Sequence, residues 1–239
     1  MLRRADFERL RCLDTCVVSN AIERLNVRLR NEGSVNGLAL KCLFPNLPPM
    51  LGYAATGRMR STTAPVGGRT YHENMHWWRY VATIPKPRVM VVQDVEDTPG
   101  IAALVGEMHA VIGLALHCKG YVTNGSVRDL AAIEPLRFPV FAAGAAVSHM
   151  YAHISEFGHP VEIGGLTIHS GDLIHGDRNG VHMIPLSIAA EIPDIAAQIQ
   201  NEEQELKDLC RSSGFSLDRL EKQMDRIPAG GVEIRLDGE

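Results

Sequence analysis

Residues 124–144 read NGSVRDLAAIEPLRFPVFAAG, and the order of residue types in this stretch decides how the chain is built. With the three residues before it, the stretch opens on YVTNG (121–125), a short strand that stops at the turn pair Asn124-Gly125. SVRDLAAIEPL then predicts a helix, and FPVFAAG a second strand. Strand, helix, strand in this order implies a parallel pair joined by a crossover helix. Upstream, RVMVVQDV is an apolar run of buried-strand type. Residues 101–118, IAALVGEMHAVIGLALHC, form the clearest helical run and close at Lys119-Gly120. The alternation therefore extends in both directions, and the fold class is α/β.

The flanks are built differently. Residues 5–30 place Phe7, Leu10, Leu13, Val17, Val18, Ile22 and Leu25 at helical spacing. FPNLPPMLGY reads as a loop, YAATGRMRSTT as a strand ended by PVGG, and residues 73–84 as a helix stopped by Pro85 and Pro87. Short apolar runs with glycine turns over 160–186 predict a small layer of antiparallel strands. From Ser187 the chain is helical and polar, and IPAGGVEIRLDGE reads as an extended arm. The expected division is an α/β domain over 1–186 and a helical C-terminal extension over 187–239 that packs on a neighbouring subunit.

Composition narrows the function classes. A formal net charge of −4 with no Lys/Arg run points away from nucleic acid as a partner. No run of about 18 apolar residues appears, so no membrane span is expected, and the charged start MLRRADFERLRCLD is not a signal segment. Five scattered cysteines, an odd number with one C-x3-C spacing at Cys12 and Cys16, read as reduced thiols of a cytoplasmic protein.

Two groups carry chemistry. Gly106-Glu107 is followed, after twenty intervening residues, by Arg128-Asp129. Gly106 leaves the backbone open to close approach. The N–H groups at the helix start near Met108 and His109 have no intrahelical acceptors and favour an anion. Arg128 and Asp129 fall at a strand's carboxyl end, where ligands of α/β sheets bind. Arg128 suits a carboxylate through paired hydrogen bonds. Asp129 suits a hard divalent cation otherwise held by water. A solvated Arg-Asp pair is the alternative. The second group, His72-Glu73-Asn74-Met75-His76, matches H-E-x-x-H, the helix motif of zinc proteases. It lacks the extended third-ligand form, and Glu96, twenty residues after His76, follows a strand instead of lying on a second helix. A loop or packing role suits these histidines better, with Trp77 and Trp78 in the core or at a subunit contact.

The linked motifs, acidic residue–x20–Arg-Asp with NGSVRD, FPVFAAG and SGDLIHGDRNGVHMIP, resemble the class II 4-hydroxy-4-methyl-2-oxoglutarate/4-carboxy-4-hydroxy-2-oxoadipate aldolases. That RraA-like family also contains regulators of ribonuclease E. The resemblance runs from about residue 10 to 215. It implies a three-layer swivelling β/β/α domain assembled as a homotrimer or homohexamer, with Mg²⁺ or Mn²⁺ as cofactor. It also implies lyase cleavage of small 4-hydroxy-2-oxo acids to pyruvate, with oxaloacetate decarboxylase activity. In those terms Asp129 holds the metal, Arg128 binds the pyruvyl oxygens, and Glu107 is an outer-shell metal or water ligand. Gly106 and the amides of Met108 and His109 would hold the pyruvate carboxylate. Glu203 of a neighbouring subunit's C-terminal helix would contribute a further carboxylate, with Glu202 and Glu205 close behind. Metal-bound water polarised by Glu107 and Glu203 would act as base, and no lysine of the Schiff-base type lies in these motifs. Many relatives carry Asp-Gly where this chain has Asn124-Gly125, a change that could alter the acidity of that water or the substrate range. Gly176-Asp177-Arg178-Asn179-Gly180-Val181 reads as a turn and strand device. The long C-terminus favours the aldolase branch. The alternatives are a ribonuclease-regulator binding protein and a different metal-dependent reaction, the latter kept open by Asn124 and by His109, His117, His169, His175 and His182.

Overall fold

The computed structural model describes residues 2–36, 40–65 and 75–227. The chain begins with α1 (Arg4–Leu10), α2 (Thr15–Leu25), β1 (Ser34–Asn36), β2 (Lys41–Cys42) and β3 (Met50–Arg60). It continues through α3 (Met75–Thr83), β4 (Arg88–Asp94), β5 (Ala103–Val105), α4 (Glu107–Ala115), β6 (Cys118–Thr123) and β7 (Ser126–Val127). Next come α5 (Leu130–Ile133), which runs into a 3-10 turn over Glu134–Leu136, then β8 (Val140–Ala142) and β9 (Gly144–Ala145). The last strands are β10 (His153–Phe157), β11 (Val161–Ile163), β12 (Leu166–Ile168), β13 (Leu173–Asp177) and β14 (Gly180–Ile184), and the chain closes with α6 (Ile192–Arg211) and α7 (Leu217–Met224). None of the described helices is long and apolar enough to cross a membrane.

Two compact units result. One runs over Gly33–Pro185; among the described residues the other joins α1 and α2 to α6 and α7. The N-terminal helices thus cluster with the C-terminal helix, whereas the sequence groups them with the sheet. In this helical unit Asp14 caps α2 by accepting the Val17 N–H at 2.8 Å. Arg24 at the end of α2 grips Glu202 of α6 through two hydrogen bonds of 2.8 and 3.2 Å, which holds the Glu202 carboxyl below the usual carboxylate range.

In the other unit the main sheet runs β1-β14-β13-β3-β4-β6-β8-β2, with β10 also on β3. Strands β3, β4, β6 and β8 are parallel, as the strand–helix alternation requires. Their apolar residues are buried on both faces: β4 is buried at every position but Gln93. A core of Val89, Val91, Val122, Phe141, Ile163 and Ile174 packs on one side of this sheet.

The chain leaves the main sheet three times and builds a second, three-stranded parallel sheet, β5-β7-β9. β6 passes to β7 through Asn124-Gly125, and β8 passes to β9 through Ala143. The sequence does not separate these pairs. It reads 101–118 as one helix, but Ala103–Val105 is strand and the helix starts at Glu107. It reads 126–136 as one helix and FPVFAAG as one strand, and both are divided. Short, fully buried apolar runs have the same composition in a strand and in a helix, so periodicity cannot tell them apart. The extended arm expected over 227–239 lies outside the described residues, apart from its first position.

Arg88, at the start of β4 and 5% exposed, organises the opposite end of the sheet. Its guanidinium donates from Nε to Ile84 O at 2.6 Å, from Nη2 to Ala82 O at 2.6 Å and from Nη1 to Leu116 O. Those carbonyls close α3 and α4, so one cation satisfies the last acceptors of two helices and meets the negative ends of their dipoles. Arg88→Met would take the donor from all three carbonyls and leave the buried one, Ile84 O, unpaired. A buried unpaired group costs about 1–3 kcal/mol, so a loss of about 2 kcal/mol is expected in urea denaturation. A loss below about 1 kcal/mol would show that the carbonyls find other partners.

Candidate functional site

Strands β5 and β7 lie side by side and parallel, and Arg128 N–H donates to Val105 O at 2.9 Å. Their carboxyl ends therefore bring the turns Gly106-Glu107 and Arg128-Asp129 together. Asp129 adopts a left-handed conformation, φ 58°, and serves as the N-cap of α5. Aspartate is among the few residues with a side chain that enter this region, as single positions. Its carbonyl accepts the N–H of Ala132 and of Ile133, so the turn is fixed by the helix it starts.

The bend turns the Asp129 carboxylate over Gly106. Oδ2 accepts the Glu107 N–H at 3.3 Å, and Oδ1 accepts Arg128 Nε at 3.1 Å. A Cβ built on Gly106 would stand 2.4 Å from Asp129 Oδ2 and 3.1 Å from the Arg128 side chain. Glycine is therefore a steric condition for the contact. It also leaves α4 without a side-chain cap at its N-cap position, at the end of a helix that favours an anion. Arg128 spends only Nε inside the chain; among the described residues its Nη groups make no hydrogen bond.

Structure thus brings together Gly106, Glu107, Arg128, Asp129 and the backbone of Met108 and His109. The Met108 side chain is exposed, while the His109 ring turns inward and packs 5.1 Å from Trp78. Glu203 lies on α6 in the other unit and pairs with Lys207 at 3.1 Å. Of its neighbours, Glu202 is bound to Arg24 and Glu205 accepts from Gln223 Nε2.

Among the described residues, His169, His175 and His182 have their partners away from this turn. His175 and His182 form a buried pair across β13 and β14, Nδ1 to Nε2 at 2.9 Å, and His169 faces Asp172. His72 and Glu73 lie outside the described residues; His76 is exposed on α3, and Trp77 and Trp78 are buried. All five cysteines are free, and burial pushes the Cys118 thiol up to about 12.

A divalent cation, implied by the family resemblance, fits the donor set in one way only. Among the described residues there is no group of three or more His, Cys, Asp and Glu that could hold a metal. Asp129 offers a carboxylate whose side chain is 37% exposed, with Glu107 beside it. Such a set suits a hard, largely hydrated ion such as Mg²⁺ or Mn²⁺ and not a closed thiolate or imidazole cage.

Residues 15–183 match the family described as RraA-like, Aldolase/RraA. A Halalkalibacterium halodurans protein provisionally named 4-hydroxy-4-methyl-2-oxoglutarate aldolase is 37% identical over 86 residues, 35% of this chain and 40% of that protein. The match therefore spans less than half of the relative. A Marinomonas protein of the same provisional name is 31% identical over 114 residues, covering 46% and 68% of the two chains. The crystal structure of Streptomyces coelicolor RraAS2, an unusual member of the RNase ES inhibitor RraA protein family, superposes with a TM-score of 0.66 at 19% identity. That superposition covers 86% of this chain and 97% of the other, and shows a shared fold.

The close approach at Gly106 has a direct consequence. Gly106→Ala is expected to displace the Asp129 carboxylate and weaken Mn²⁺ binding by about tenfold or more, the effect of about 1.4 kcal/mol. Thermal unfolding should move little, because the Asp129 side chain that must give way is exposed and can turn into solvent. Wild-type Mn²⁺ affinity in the alanine variant, read by electron paramagnetic resonance, would contradict this reading of the turn.

Proposed function

The chain belongs to the RraA-like family, and on that footing we propose that it is a divalent-metal-dependent lyase that cleaves 4-hydroxy-2-oxo acids to pyruvate and decarboxylates oxaloacetate. The observation that carries the proposal is the packing of Asp129 against Gly106, which puts a carboxylate, a guanidinium and a helix start at one place. The provisional aldolase names of the relatives support the same chemistry.

Both reactions break the C3–C4 bond of a 2-oxo acid and leave the electron pair on a pyruvate enolate. The amides of Met108 and His109 at the start of α4 suit the substrate's C1 carboxylate. The Arg128 Nη groups suit the 2-oxo oxygen. Their hydrogen bonds strengthen as that oxygen gains charge, so they favour the transition state over the ground state. Mg²⁺ or Mn²⁺ held by Asp129 would supply, when bound, Lewis acidity at the same oxygen. In the aldol case the C4 hydroxyl must lose its proton. Glu107 opens α4 with an exposed carboxylate, which suits it to take that proton, directly or through a water. In the homo-oligomer, Glu203 of a neighbouring copy adds a second carboxylate.

The test is pyruvate release from oxaloacetate and from 4-carboxy-4-hydroxy-2-oxoadipate with Mg²⁺, Mn²⁺ or EDTA. EDTA should abolish release, and Asp129→Ala should lower kcat/KM by about a thousandfold, the scale of losing a principal electrostatic group. Release that persists in EDTA or in the variant would overturn the proposal. No release at all, with capture of ribonuclease E, would favour the regulator reading.

A further inference from the structure

The turn between β6 and β7 is held by a side chain. Asn124 Oδ1 accepts the Asp94 N–H at 2.7 Å, and Asn124 Nδ2 donates to the Asp94 carbonyl at 2.9 Å. The Asp94 carboxylate, 1% exposed, accepts the N–H of Glu96 at 3.1 Å and of Gly100 at 2.9 Å. Ser126 Oγ closes the circuit by donating to Gly100 O at 2.7 Å. There is no slack inside it: the Gly125 N–H is bound to Thr123 Oγ1, and a Cβ at Gly125 would come 3.2 Å from that of Asp94.

Both halves of the site are reached from this ring. Gly100 leads through β5 to Gly106-Glu107, and Ser126-Val127 leads directly to Arg128-Asp129. We propose that Asn124 is a positioning residue, and that what it supplies is simultaneous donation and acceptance by a neutral amide. Asn124 therefore does not reach toward the reacting atoms, since both amide ends are spent on the Asp94 backbone. An ionised carboxylate at 124 can accept the N–H but has no hydrogen for the carbonyl, so its second oxygen meets the Asp94 carbonyl acceptor against acceptor. Only its protonated form repeats the amide's two bonds. Glu96, a further carboxylate of the loop after β4, is turned to Ser61 and Thr62.

The kinetic readout rests on the lyase reading; the structural readout does not. The experiment compares wild type, Asn124→Asp and Asn124→Ala from about pH 5.5 to about pH 8.5, spanning the range in which a raised carboxyl titrates. Oxaloacetate decarboxylation with Mg²⁺ gives the pH profile. Amide exchange over 94–109 and 124–133, corrected for intrinsic rates, reports the turns themselves. Asn124→Asp should approach wild type at the acid end and fall about ten- to a hundredfold in kcat/KM toward alkaline pH, the loss of one buried hydrogen bond. Exchange in both segments should rise in step with that fall. Asn124→Ala should be impaired at every pH. An Asn124→Asp variant with the wild-type pH profile and wild-type exchange would overturn the proposal, as would one more active than wild type at alkaline pH. If wild type releases no pyruvate, the lyase reading fails by itself, and exchange in Asn124→Asp still decides the role of Asn124: a rise with pH supports it, a flat response overturns it.

Discussion

The contact between the Asp129 carboxylate and the Gly106 backbone is the constraint on which the site depends. It requires three conditions at once. Residue 106 must lack a Cβ, residue 129 must tolerate a left-handed backbone, and β5 and β7 must be adjacent and parallel. When all three hold, an acidic group, a basic group and a helix start converge without any of them leaving its own strand–helix junction. Electrostatics then follows from position. The guanidinium of Arg128 offsets the charge of Asp129, and the N-terminal turn of α4 offers donors to an anion.

The rest of the unit keeps those junctions in register. At one end of the sheet, Arg88 ties the carboxyl ends of α3 and α4 to the first residue of β4. At the other, the circuit through Asp94, Asn124, Ser126 and Gly100 binds the loop after β4 to the start of β7. Buried charge is used in both places, and in both its hydrogen bonds go to backbone groups. That arrangement meets the rule that a buried charge persists only when its bonding capacity is met, here by amides and carbonyls and not by an opposite ion.

Much of this was legible in the sequence because it depends on residue types with narrow physical uses. The alternation of apolar runs with helical segments gave parallel strands β4, β6 and β8. Arg128 and Asp129 could be placed because strand ends in α/β folds gather functional groups, and Gly106-Glu107 was joined to them by the resemblance of the acidic residue–x20–Arg-Asp pattern to the RraA-like aldolases. The second sheet was not legible. Strands of two or three residues, such as β7 and β9, carry no periodicity, and Ala103–Val105 reads equally as helix. Nor could the sequence show that the first 32 residues cluster with the C-terminal helix, since both are amphipathic and either could have faced the sheet. In sequence Asn124 is one polar turn residue before a glycine; that its amide is bonded to the Asp94 backbone is a tertiary fact.

The central claim is that Asp129 and the start of α4 form one site for a hydrated divalent cation and a 2-oxo acid. A crystal structure of the protein grown with Mn²⁺ and oxalate, an enolate mimic, tests it most directly. The account predicts an anomalous peak beside the Asp129 carboxylate, with oxalate spanning the ion, Arg128 and the amides of Met108 and His109. An ion bound elsewhere, or oxalate with no contact to Arg128, would contradict it.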